Sequence, residues 1–450
     1  MFGPLTVFVT VAWWLVEVTR SWAGRDAPSV TVGAALIAVA LVISRPDRVL
    51  PRVAIVLATL ISVAAFVVPL TAPIGWAGSP DGALYACSAW LAILVAGAVI
   101  SNSATTIWLL TALAASAAIE FMSGWEAWWG GRDPAAPMIG TFYWHNPYAA
   151  FLIPGGLAGL ALWIWRERVF ALLGVLCFSF ASTGIVYSTS RASLAIFVLG
   201  FVLVAVLAFL DSRRWRALRQ LALAAAIGAA ATFFVGGPPF FPHRSSPLAA
   251  EQARASSQSL GQNGGYRLDF WREALGVFRR HPVTGGGYKS LVHESIGHTP
   301  KAWPLSPYAH NGYLQALGEG GLVLAVPFLL GAIFVAVLCL RTLFDGLVRR
   351  RVAAETVVLS VALACVMLHS AVDFDWTYAA DFSMFALLAG LVVGLALRER
   401  AKPDHAQAGY FWRPALVGCL VIGVGMLGVS AWVQRNGNHT VNLPRAGAQP

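Results

Sequence analysis

Long apolar runs separated by short polar connections fill most of this chain, and one interval is too long and too polar to be such a connection. The runs fall near 5–18, 29–44, 53–70, 83–100, 104–121, 146–165, 169–188, 192–210, 218–236, 322–340, 352–369, 379–397 and 414–433. A membrane-spanning helix needs about 20 apolar residues and tolerates about 17. The pattern therefore predicts twelve to thirteen transmembrane helices, the first two of them short. The polar interval covers 237–321 and divides the chain into an N-terminal membrane part, 1–236, the loop itself, and a C-terminal membrane part with a tail, 322–450. Within the loop, Leu268, Trp271, Leu275 and Phe278 recur at three- and four-residue spacing, which predicts an amphipathic helix over 266–280 lying on a surface. His281-Pro282 closes it, since proline cannot continue a helix without cost. The glycines at 285–287 then allow a tight turn with backbone N–H groups facing an anion, although Tyr288 between Gly287 and Lys289 breaks any P-loop. The segment 238–247, rich in proline and aromatic residues, predicts irregular backbone.

Composition agrees with the pattern. Hydrophobic residues make up 58% of the 450 and charged residues 12%, far below a soluble domain, and the mean hydropathy is +0.69. The fold class is an all-α, polytopic membrane protein. The net charge of +10 raises nucleic acid as a partner, but most basic residues sit between apolar runs, where they set topology instead. With the N-terminus in the cytoplasm, Arg45, Arg48, Arg52, Arg166, Arg168, Arg213, Arg214, Arg216, Arg219, Arg341, Arg349, Arg350, Arg351, Arg398, Arg400, Lys402 and Arg413 all fall inside. The long loop and the turn at 188–191 then share the opposite face. Five cysteines, Cys87, Cys177, Cys339, Cys365 and Cys419, lie inside apolar runs and form neither a disulfide framework nor a zinc site. No cleavable signal peptide and no internal repeat is evident.

Candidate chemistry collects on the outer face. Arg191 reads as an interfacial arginine that snorkels or as an anion-binding group. Arg267 opens the loop helix, either as a solvated charge paired with Asp269 or Glu273 or as a functional cation. His310, in YAHNGYLQALGEGG, stands just before an apolar run, with Tyr308 ahead of it and Asn311 behind as a cap for the next helix. His293 and His298 read as loop surface. Asp373 and Asp375, in LHSAVDFDWTY, read first as solvated turn residues and second as carboxylates that orient a cation. A transporter, the non-enzyme alternative, would place ionisable groups in mid-helix, whereas Glu120, Asp211 and Glu355 are expected near helix ends.

The order of these motifs resembles the O-antigen ligase and polymerase superfamily. The resemblance is carried by the Ser190-Arg191 pair at the outer end of a helix, the arginine opening a loop helix followed by HPxxGGG, HNGYLQxxxEGG, the GTFYWHNPYAAFL stretch around Asn146, and HSxxD at 369–373. It covers about 140–397, and the apolar run at 414–433 departs from the usual twelve helices. The resemblance implies a GT-C-like membrane glycosyltransferase at the periplasmic face of a bacterial inner membrane, moving a glycan from an undecaprenyl diphosphate donor. The acceptor is lipid A-core in a ligase, the growing glycan in a polymerase, or a protein in an O-oligosaccharyltransferase. Arg191 and Arg267 are expected to clamp the diphosphate and His310 to act as general base, with Asn146, Tyr308, Asn311 and Asp373 also binding substrate. Inversion is expected, and so is a reaction without cofactor or metal, because the outer face offers no Asp, Glu and His set at ligand spacing. The lipid tail calls for an apolar groove, expected beside the Gly- and Ala-rich runs 146–165 and 218–236.

Overall fold

The computed structural model describes residues 10, 13, 27–44, 50–71, 79–102, 104–130, 136–142, 144–166, 169–211, 213–236, 260–291, 306–349 and 353–400. These residues form helices and no strand: α1 (Ala27–Ser44), α2 (Arg52–Thr71), α3 (Ser79–Ser101), α4 (Ala104–Gly130), α5 (His145–Trp165), α6 (Val169–Tyr187), α7 (Arg191–Leu210), α8 (Arg214–Gly236), α9 (Leu260–Arg280), α10 (Gly312–Leu347), α11 (Ala354–Ser370) and α12 (Ala379–Arg400). Nine of them are long and apolar enough to cross a membrane, and α1 and α11 are shorter apolar helices. In a bilayer only such internally hydrogen-bonded elements can span. The molecule is an all-helical, multi-pass membrane protein. The predicted runs at 5–18, apart from Thr10 and Trp13, and at 414–433 lie outside the described residues, as do 238–247, His293 and His298.

α5 and α12 are enclosed by their neighbours, while α7 and α8 turn most of their apolar side chains outward. Without a hydrophobic drive between helices in lipid, close backbone approach through small residues holds such a bundle. Gly159 of α5 and Gly174 of α6 illustrate it: a Cβ on either would come within 2.6 Å or less of the other's carbonyl oxygen. On α7, Leu194, Val198, Val202, Val206 and Phe209 form an exposed apolar stripe suited to lipid.

The two ends of the bundle differ in chemistry. At one end, Asn146 on α5 meets Asp373 after α11, Ser193 on α7 meets His369 on α11, and Asn311 before α10 meets the Ala371 carbonyl. At the other, Arg166 pairs with Glu355 at 3.1 Å, Arg213 and Arg214 join α7 to α8, Arg349 pairs with Asp345 after α10, and Arg398 closes α12. The basic connections thus gather away from the candidate site, as the charge pattern predicted.

Three elements differ from expectation. α4 runs on to Gly130, so Glu120 lies inside the helix rather than at its end. Its carboxylate is fully buried and accepts hydrogen bonds from the Thr141 backbone N–H at 2.6 Å and the Thr141 hydroxyl, which ties the helix to the segment before α5. α9 starts at Leu260 and buries Phe270, Ala274 and Val277, whereas Leu268 of the predicted stripe is 49% exposed. Both stripes are apolar, and packing on α10 selects the one with the small Ala274, over which Gly318 passes. α10 begins ten residues before the predicted apolar run, because the helix 312–320 reaches a break at Gly321, with φ 54 and ψ −157, before the apolar part starts.

That break explains the turn at 285–287. Its N–H groups do not face an open anion site: Gly286 and Gly287 donate to the Gly318 and Glu319 carbonyls, while Leu322 and Val323 donate back to Pro282 and Val283. A Cβ at Gly321 would stand 2.4 Å from the Gly285 nitrogen and 2.5 Å from the Val283 oxygen. Gly321→Ala is therefore expected to cost at least ~1–3 kcal/mol of stability by backbone strain alone. Thermal melting of the purified protein in detergent checks this, and an unchanged midpoint would mean that the turn yields freely.

Candidate functional site

Asp373 is the centre of the site. It sits in the turn between α11 and α12, fully buried, so the solvated reading of this aspartate does not hold. Three hydrogen-bond donors and the His310 ring approach its two oxygens. Oδ2 accepts from Asn146 Nδ2 at 2.6 Å and Arg267 Nη2 at 3.2 Å; Oδ1 accepts from the Phe374 backbone N–H at 2.9 Å and stands 3.3 Å from His310 Nδ1. The His310 contact lacks the alignment of a hydrogen bond. Burial opposes the charge, but His310 and Arg267 outweigh it and hold the carboxyl well below the usual carboxylate range. The cation that Asp373 orients is the Arg267 guanidinium. Asp269, offered as a surface partner for Arg267, pairs with Arg272 at 3.0 Å instead.

Arg267 reaches this carboxylate because the inward face of α9 packs on α10, and its side chain keeps 30% exposure. Of its five donors, Nη2 carries the bond to Asp373. His310 is fixed on all sides. Phe270 of α9 stacks on its ring at 5.1 Å, Phe374 meets it edge-on at 4.6 Å, and Trp271 Nε1 donates to its carbonyl. Its backbone has φ 48, a conformation that costs a non-glycine residue energy and is kept where surroundings over-determine it. The ring is part exposed, with Nδ1 turned to Asp373.

Asn311 caps α10 as predicted, accepting from the Tyr313 and Leu314 N–H groups at 3.0 Å, and its own amide donates to Ala371. Tyr308 stacks on Phe374 at 4.5 Å. The part of HNGYLQALGEGG without an assigned role is also legible here. Gln315 accepts from the Ala309 N–H at 2.7 Å and donates to Glu319 at 2.6 Å, and Glu319 accepts from the Lys289 N–H. This row joins the His310 loop to the glycine turn.

Arg191 is the first residue of α7, after the N-cap Ser190. Its helix start is bound to the Asp373 turn by a second row that sequence reasoning did not find. Ser190 Oγ and Ser193 Oγ are 2.8 Å apart, Ser193 Oγ and His369 Nε2 2.8 Å, and His369 Nδ1 and Asp375 Oδ2 2.7 Å. Ser193, His369 and Asp375 are all buried, which also removes the solvated reading of Asp375. Of these, Asp375 stood among the candidate carboxylates and His369 only in the HSxxD spacing, while Ser193 carried no signal.

Residues 175–329 match a family model described as O-antigen ligase. The match supports the O-antigen ligase superfamily and, with it, ligase- or polymerase-type function in general. It covers Arg191, Arg267 and His310, whereas Asp373, which holds Arg267, and Asn146, which donates to Asp373, lie beyond its limits. A search of the curated proteins finds no match.

Proposed function

We propose that the protein is a membrane ligase that transfers a glycan from a polyprenyl diphosphate to an acceptor hydroxyl, with lipid A-core as acceptor, at the periplasmic face of the inner membrane. The observation that carries this reading is Asp373, which aligns one cation, Arg267, and one proton acceptor, His310, from its two oxygens. As the glycosidic C–O bond breaks, its electron pair moves onto the diphosphate, and Arg267 with Arg191 stabilises that charge through guanidinium donors that stay protonated. The acceptor oxygen bonds to the anomeric carbon from the opposite face, and its proton passes to His310 Nε2, the ring atom turned from Asp373. One displacement inverts the configuration, and no metal is called upon.

For the lipid tail the sequence pointed to a groove beside the runs 146–165 and 218–236. An apolar cavity of about 100 Å³ lies between α2, α3, α10 and α12, lined by Ala58, Ala89, Ala92, Ala332, Ala386 and Phe328 among others. Trp376, one residue after Asp375, packs on Phe328 at 5.3 Å and on Phe382, so the cavity adjoins the Asp373 turn. α5, which the glycines suggested, is enclosed on all sides by protein.

The test is the purified protein with a polyprenyl-diphosphate-linked glycan and lipid A-core. Wild type is expected to form capped lipid A-core, and Arg267→Lys and Arg191→Lys to lose most of the activity, because lysine keeps the charge but not the fork. Elongation of the donor glycan with lipid A-core untouched would make it a polymerase. Wild-type turnover by either lysine variant would return that arginine to a surface role.

A further inference from the structure

We propose that His369 is a positioning residue for the diphosphate site, which holds the start of α7, and thereby Arg191, in register with the Arg267, Asp373 and His310 group. The proposal rests on the clamp role given to Arg191 above. The two cations come from elements far apart in sequence, α7 and α9, and a shared diphosphate tolerates little error in their separation, since a misplacement of about 1 Å can cost ~100-fold. Arg267 is placed by Asp373 directly. For Arg191 the corresponding restraint is the buried row Asp375, His369, Ser193 and Ser190, which ends on the residue that precedes it.

The row is built as a rigid link. Ser190 caps α7 by accepting from the Ser193 N–H, so the serine that bonds Ser193 through its hydroxyl also fixes the first turn of the helix. The turn before it is held in a strained form: Thr189 has φ 56, unfavourable for a β-branched residue, with Ser188 Oγ donating to the Ile185 carbonyl and accepting from the Ser190 N–H. At the far end, Asp375 also accepts from Ser370, and a single residue, Phe374, whose N–H donates to Asp373, separates it from that carboxylate. The Asp375 carboxylate can only accept, so it fixes the tautomer: Nδ1 of the neutral His369 ring donates to Asp375, and Nε2 accepts from the Ser193 hydroxyl. Ser193 is fully buried, so this array of Ser, His and Asp serves position and not attack on a substrate.

The experiment measures equilibrium binding of the polyprenyl-diphosphate donor, turnover and thermal melting for purified full-length variants. His369→Asn keeps an amide beside Asp375 but is too short for Ser193, and is expected to weaken donor binding ~10- to 100-fold. His369→Gln, which reaches Ser193, is expected to recover most of that loss, which a purely packing role would not predict. In combination with Arg191→Lys, His369→Asn is expected to add nothing, because both act on one contact, whereas with Arg267→Lys its effect should multiply. Ser193→Ala should repeat the binding loss and decides the matter if His369→Asn does not fold. Donor binding at the wild-type level in His369→Asn or Ser193→Ala, or effects that multiply with Arg191→Lys, would overturn the role of His369 while leaving the clamp in place. Wild-type protein that does not bind the donor, or Arg191→Lys that binds it normally, would overturn both.

Discussion

Asp373→Asn is expected to lower transfer by roughly 10³- to 10⁴-fold, the scale seen when an oriented acid–base pair loses its carboxylate. The isosteric change is severe because of the donor count. Three hydrogen-bond donors and the His310 ring approach the carboxylate: Asn146 and Arg267 at Oδ2, and the Phe374 N–H and His310 at Oδ1. An asparagine offers one oxygen and one NH₂, so in either flip state its donor faces at least one donor. The base and one arm of the clamp are therefore disturbed together. Leaving a buried polar partner unsatisfied costs about 1–3 kcal/mol, and breaking a buried ion pair about 3–5 kcal/mol, so the melting temperature should fall as well. The pH dependence has a definite sign. The carboxyl is held below its ordinary range in the folded protein, so its contribution to stability is complete above the unfolded value of about 3.9 and is lost only as pH falls through the folded value. Asp373→Asn with wild-type turnover and melting would remove Asp373 from the centre of the site.

Much of the fold was legible because burying apolar runs in lipid leaves the chain few options, and eleven predicted runs correspond to helices. What stayed hidden is how distant residues meet, since sequence distance conceals the contacts. Asp373 reads as a turn residue until α5 brings Asn146 to it across 227 positions, and Ser193 and His369 are 176 apart. Arg191 and His310 stand out in the sequence because each opens or precedes a helix at one face, whereas Arg267, expected to open the loop helix, lies inside α9, which starts at Leu260. The supporting residues carry no such mark. Helix α9 shows a further limit: two neighbouring faces are both apolar, and only Ala274, small enough for Gly318 to pass, reveals which one packs. The α5 part of the expected groove shows a related limit. Glycines on α5 read as space, but they are the points where α4 and α6 close upon it, with a Cβ at Gly155 only 2.3 Å from Ala117.

His310→Ala is expected to separate chemistry from binding. A general base contributes about 10²- to 10⁴-fold, and turnover at saturating donor should fall on that order. Donor affinity should change little, since Arg267 keeps its bonds to Asp373 and Asn146 remains in place. The loop itself should hold: Asn311 still caps α10, Gln315 still takes the Ala309 N–H, and alanine removes the ring without freeing the backbone. Two costs are local. The ring leaves a gap between Phe270 and Phe374, and alanine must adopt the φ of 48 that histidine now holds. His310→Asn controls for both, because asparagine tolerates that conformation and fills part of the gap but takes no proton. It should fold as wild type and remain as slow as alanine. Loss of donor affinity in His310→Asn with turnover at saturation unchanged would make His310 a binding residue and place the base elsewhere.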